Sequence, residues 1–192
     1  MLMLDEYWIS HFGDTPPIAH RLRCLYSDRW ARFHSLPNSK RYAETESEWA
    51  TLLERHNAII GKLTTEGTQL ELLTTSWSAS QTPDFSADEL RELRLPAEHW
   101  QAIAMHEIDG ETDPHYWHIF HSAIKWFPGT LDDVIRLIAD ERITNAMLFD
   151  PASSWLLHPY DGGIDAILGS RDERDRLSIA FSPWRSRQSD GL

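Results

Sequence analysis

Apolar positions recur along the chain with two periods, one near 3.6 and one near 2, and each period predicts its own kind of element. From Leu2 to Phe12 the pattern predicts a short helix closed by Gly13. Asp14-Thr15-Pro16-Pro17 then marks a second helix start, because proline suits the first helical turn. Ile18, Leu22 and Leu25 fall on its inner face, and it should end near Ser27. Trp30 to Ser35 predicts a strand ended by the turn Leu36-Pro37-Asn38-Ser39. The clearest helix follows. Thr45-Glu46-Ser47-Glu48 is a capping box, and Trp49, Leu52, Leu53, His56, Ile59, Ile60 and Leu63 share one face behind it.

Leu70 to Trp77 predicts another strand, and the polar, acidic run near 78–98 a surface excursion with a short helix at Ala87 to Leu93. Trp100 to Ile108 and Tyr116 to Trp126 predict two strands joined by a turn through Asp113-Pro114. Residues 129–141 predict a helix capped by Thr130, with Leu131, Val134, Ile135 and Ile138 facing inward. Ala146 to Phe149, Trp155 to His158 and Ile164 to Leu168 predict a meander around the turns Asp150-Pro151 and Asp161-Gly162-Gly163. A second capping box, Ser170-Arg171-Asp172-Glu173, opens a closing helix in which Leu177, Ala180, Phe181 and Trp184 pack and Pro183 introduces a kink. Strands cluster instead of alternating strictly with helices. The expectation is therefore an α+β single domain over 1–192, a mainly antiparallel sheet with about four to five helices packed on it.

Charge narrows the partners. The net charge of the 192 residues is −12, and residues 44–114 carry −11 of it. Such a field repels phosphate backbones and acidic lipid surfaces, so neither nucleic acid nor membrane is an expected partner, whereas a basic protein is favoured electrostatically. No stretch has the roughly 18 apolar residues of a membrane span, and the acidic Asp5-Glu6 stands where a secretory leader would be basic. A single cysteine, Cys24, excludes an internal disulfide framework and suits the cytoplasm. Nine tryptophans exceed what a core of this size requires, so a homodimer through exposed aromatics stays open.

Complete catalytic motifs are missing: the chain has no His-Glu-x-x-His helix, no Gly-x-Ser-x-Gly elbow and no Gly-rich phosphate loop. Cys24, on a predicted amphipathic helix, is expected to be a buried or incidental thiol. His115, His118 and His121 form the densest histidine cluster, but on a strand His118 faces away from the other two, so no metal and no cofactor is expected. Asp132-Asp133 complement a helix N-terminus. Asp161 and Asp165 flank a turn where either could meet a cation or an arginine. The constellation with most chemistry is a positive island, Arg32, His34, Ser35, Asn38, Ser39, Lys40, Arg41 and Tyr42, to which Arg55, His56 and Asn57 are expected to return from the next helix. With Asp161, the candidate ligand-binding set is Arg32, His34, Ser35, Lys40, Arg41, Arg55, His56 and Asn57: guanidinium and imidazole groups suited to a carboxylate or phosphate.

The runs Arg32-Phe33-His34-Ser35-Leu36-Pro37, Ser39-Lys40-Arg41-Tyr42, Glu54-Arg55-His56-Asn57 and Tyr160-Asp161-Gly162-Gly163-Ile164-Asp165 resemble an uncharacterised bacterial family of hypothetical proteins with a domain of unknown function. The resemblance implies a bacterial cytoplasmic protein of α+β fold and brings no activity or catalytic residue with it. Two functional expectations follow. One is a non-enzymatic acidic protein-binding domain, immunity-like by analogy with other small acidic bacterial proteins, whose segment Glu44 to Asp113 meets a basic protein. The other is an anionic-ligand binding domain or enzyme built around His34, Arg41, Arg55 and His56.

Overall fold

Seven strands form one antiparallel sheet: β1 (Trp30–His34), β2 (Gln69–Ser78), β3 (Glu98–Ala104), β4 (Tyr116–Lys125), β5 (Thr144–Phe149), β6 (Leu156–Tyr160) and β7 (Gly163–Ile167). Their spatial order is β1-β7-β6-β5-β2-β4-β3. The computed structural model describes residues 2–83, 93 and 95–185. Among these, six helices accompany the sheet: α1 (Leu2–Phe12), α2 (Ala19–Leu25), α3 (Glu46–Leu63), α4 (Met105–Asp109), α5 (Asp132–Ala139) and α6 (Arg171–Ala180). The chain is thus the expected α+β domain with one helix more than predicted. The helix expected over 87–93 lies almost wholly outside the described residues.

Alternation along the strands decides which helix lies on which side. Leu157, Pro159 and Ile164 meet His56 and Ile60 of α3 and Val134, Ile135 and Ile138 of α5 around a cavity of only about 10 Å³, so these helices share one face. Phe33 joins that face, edge-on to Phe181 just beyond α6. The opposite face takes α1, where Tyr7 stacks on Phe149 at 4.4 Å between ring centroids and its hydroxyl donates to the Trp155 carbonyl. Beside it lies α2, whose Leu22 is fully buried. The sheet therefore has helices on both sides, its apolar residues shared between two cores.

The helix termini test the sequence reading. Thr45 caps α3 with a complete capping box: its hydroxyl accepts from Glu48 N, and the Glu48 carboxylate accepts from Thr45 N. Ser170 supplies only half of the second one, accepting from Glu173 N at 3.2 Å. Thr130 does not cap α5. Its hydroxyl accepts from Phe127 N instead, and Asn57 clasps the start of α5 by accepting from Gly129 N and donating to Asp132 Oδ1. The closing helix stops at Ala180, which is exposed, while Phe181 and Trp184 pack on the core from a following 3-10 turn at Ser182–Trp184.

Two boundaries move for identifiable reasons. Helix α2 begins at Ala19 rather than in the proline pair, because Ile18 keeps an extended backbone and is buried with its side chain under the sheet. Leu25, expected inside, is the last residue of α2 and is 62% exposed. Strand β3 ends at Ala104 instead of Ile108. Its neighbour β4 begins only at Tyr116, just after Pro114, and beyond Ala104 the backbone turns into α4, with Met105 N and His106 N donating to the His115 carbonyl oxygen and Gly110 closing it at φ +72°. Among the tryptophans, Trp8, Trp126 and Trp155 are buried and Trp77 is 78% exposed.

Candidate anion-binding cleft

Three strands lay polar side chains in rows on the α2 side of the sheet. The pairing sets Arg32 (β1) beside Asp165 (β7) beside His158 (β6), and in the next row His34 beside Gly163 beside Tyr160. The residues between them, Phe33, Ile164 and Pro159, face the opposite core, as strand alternation requires. Over the rows lies a cleft of about 400 Å³, walled by His20 and Arg23 from α2 and by Ser39, Arg41 and Asp161 from the loops.

Arg32 and Asp165 form its floor. Arg32 Nε and Nη2 donate to the two Asp165 carboxylate oxygens at 2.7 and 2.9 Å, a bidentate pair. Asp165 is only 3% exposed. Burial opposes the charge of Arg32, but the hydrogen bond and field of Asp165 outweigh it and hold the guanidinium above its ordinary value. The same guanidinium lies 4.7 Å from the Tyr160 ring centroid. Burial, reinforced by Asp165, raises the Tyr160 phenol and keeps it protonated. The close approach of β1 to β7 requires glycine at 163, where a Cβ would collide with the Phe33 carbonyl oxygen.

The mouth is a strained loop pair. Asn38 and Ser39 take left-handed backbone, φ +58° and +57°, in the turn after β1, and Glu141 does the same at +59°. Each such residue costs about 1–2 kcal/mol, a cost met most often where a site must be shaped. The turn carries Arg41 onto Asp161, its Nε donating to Oδ2, and Glu141 accepts from both Arg41 Nη2 (3.5 Å) and Tyr42 OH (2.9 Å). Burial opposes the charge of Asp161, and the Arg41 bond more than offsets it, leaving its carboxyl below the ordinary range.

The three imidazoles of the cleft are held neutral. Burial lowers His158, with Arg32 and Arg23 adding to it; burial lowers His34, with Arg32 and Arg55; burial lowers His20, with Arg21 and Arg23. His158 Nδ1 lies 2.7 Å from the Ala146 carbonyl oxygen, an acceptor, so the ring's hydrogen is on Nδ1 and Nε2 keeps a lone pair. His34 Nε2 is buried and has no hydrogen-bond partner among the described residues. Arg32 and Arg41 each have an aspartate. Arg23 has no acidic partner among the described residues.

The structure brings together four of the nine residues proposed from sequence: Arg32, His34, Arg41 and Asp161. The other five stand elsewhere. Ser35 is buried behind β1 with its amide bonded to Gly162 O. Lys40 turns back to Glu44 and Glu48. Arg55 donates to the His34 carbonyl oxygen at 2.9 Å and lies over Trp184. His56, 2% exposed, sits in the α3 core with Nδ1 against Leu52 O, and Asn57 serves α5. Of the α3 residues only Arg55 reaches the island, at the His34 backbone, because α3 packs on the other face of the sheet. Sequence reasoning missed His20, Arg23 and His158. The signal for the first two was their i, i+3 spacing on α2, away from buried Leu22.

The histidine cluster is engaged in pairing. His118 Nε2 lies 2.9 Å from Ser78 Oγ and 3.0 Å from Ser80 O, His121 Nδ1 lies 3.2 Å from Glu71, and His115 Nδ1 lies 3.3 Å from Glu111. No group of three or more His, Cys, Asp or Glu suited to a metal ion occurs among the described residues. Cys24 is exposed, not buried. No helix among the described residues is long and apolar enough to cross a membrane.

Residues 18–189 match the family described as Domain of unknown function (DUF3885). The chain belongs to this family. The matched span begins just before α2 and includes every residue lining the cleft, so the DUF3885 domain contains the whole site. No curated protein and no solved structure matches the chain.

Proposed function

We propose that this domain binds a small anionic molecule, one bearing a phosphate or carboxylate group, in the cleft between α2 and the β1-β7-β6 edge of the sheet. The observation that carries the reading is the convergence of Arg23, Arg32 and Arg41 from three separate elements, of which Arg32 and Arg41 are neutralised by aspartates and Arg23 has no acidic partner among the described residues. Arg32 is preorganised by Asp165 and lacks freedom to rotate away. Arg23 supplies the uncompensated charge, and the neutral imidazoles and the Tyr160 hydroxyl supply polar edges for orientation. The lone, exposed Cys24 supports a reducing compartment, the bacterial cytoplasm.

Calorimetric titration with inorganic phosphate and with succinate tests this, and the stronger of the two identifies the anion. Arg23→Glu is expected to weaken the better ligand at least tenfold, whereas Lys40→Glu, outside the cleft, leaves it unchanged. Equal affinities for both variants would remove the proposal. Sulfate, whose charge is constant over the range, gives the pH dependence. The imidazoles have depressed values when free, and an anion raises them, so affinity grows as pH falls from about 8 to about 5.5. A flat profile assigns the histidines no part in binding.

A second reading rests on the acidic segment, which exposes Glu46, Glu54, Glu66, Glu98, Glu107 and Glu111. It is docking of a basic protein with rapid, salt-sensitive association. Glu46→Lys with Glu54→Lys should slow association with a protein co-purified at low salt at least tenfold. A rate indifferent to both substitution and salt would discard it.

A further inference from the structure

A second cavity, of about 590 Å³, lies on the other face of the sheet between the end of α3, the turn before β6, and α6. Leu63, Leu168 and Leu177 line it together with the ring of Trp155, and Ser153 and Ser154 add hydroxyls from the turn before β6. Trp155 is 5% exposed, and its indole N–H is buried with no acceptor among the described residues. That N–H is closed off from the cavity, so only the ring of Trp155 meets an occupant. Two cations, Lys62 and Arg176, lie on the lining, and neither has an acidic partner among the described residues. Glu173, the one acid on the lining, stands three residues before Arg176 without pairing to it, so the cavity keeps a positive balance.

We infer that this cavity binds an amphipathic monoanion, a carboxylate carried on an apolar body such as a medium alkyl chain. The chemistry follows from the lining. The leucines and the tryptophan ring favour a ligand with an apolar body, which free phosphate lacks. The two cations, without an acidic partner among the described residues, favour an acid over a neutral lipid. The volume lies within the range of about 300–1,000 Å³ usual for small-molecule sites. The site shares no residue with the anion cleft and stands independently of it.

Octanoate and octanol, equal in chain length and differing in charge, are the probes. Titrated into the full ¹⁵N-labelled chain, octanoate should shift one indole N–H resonance, the one that disappears in Trp155→Phe. Lys62→Glu with Arg176→Glu, both at the surface, should weaken octanoate at least tenfold and leave octanol within twofold. Arg23→Glu should change neither, which separates failure of this site from failure of the cleft. The inference is overturned if the Trp155 resonance does not move at millimolar octanoate. It is equally overturned if octanol binds as tightly as octanoate or if the double variant binds octanoate unchanged.

Discussion

Asp165→Ala is expected to lower the free energy of unfolding by about 3–5 kcal/mol, because it strands the Arg32 guanidinium in a largely buried position without its counter-charge. Urea denaturation followed by far-UV circular dichroism measures it. The cost is that of breaking a pair, not the worth of having one. Arg32→Met combined with Asp165→Leu, which removes both charges and keeps the volume, should recover most of the loss. That double variant also serves the functional question. It should fold and fail to bind the anion, which separates the cleft's chemistry from its scaffolding. An Asp165→Ala protein as stable as the parent would mean that Arg32 is solvated through the cleft.

The second large effect is expected at Asn145. Its side chain accepts from Ala19 N (2.8 Å) and donates to Pro17 O and Thr75 Oγ1 (both 2.9 Å), joining the first turn of α2 to the centre of the sheet. Its backbone is left-handed, φ +49°, next to the irregularity between β2 and β5. Asn145→Ala removes three hydrogen bonds, leaves buried backbone groups unmatched and places alanine where it is strained; together these cost about 2–4 kcal/mol. Asn145→Gly loses the same bonds without the strain, so it should be more stable than the alanine variant by about 1 kcal/mol. In both, anion affinity falls with Arg23 itself untouched, because α2 no longer holds His20 and Arg23 over the floor. Equal stability of the two variants would show that the backbone at 145 is relaxed.

How much of this was legible follows the range of the interactions. The capping box at Thr45 and the apolar runs of β1, β2 and β4 are local, and the structure has these elements where the sequence places them to within a residue. The α2 start was hidden because its cap comes from Asn145, 126 residues away, while the proline pair offers a plausible local start. In the site, Arg32, His34 and Arg41 were visible because they crowd one strand end. Arg55 returns to that strand end as expected, but only to the His34 carbonyl oxygen, and His56 and Asn57 stay away because α3 packs on the other face. His158 was invisible for the converse reason: it enters only through the pairing of β6 with β7.

The strand order also sets a timetable. Among the described strands β1 is synthesised first, yet its one strand neighbour in the sheet is β7, synthesised last, and Arg32 must wait 133 residues for Asp165. During synthesis the ribosome therefore holds out a strand whose hydrogen-bonding edge is vacant and whose arginine has no mate until nearly all of the domain has emerged. Non-local closure of this kind slows folding. The cleft is consequently the last part of the sheet to exist, and a chain cut short before Gly163 lacks it altogether.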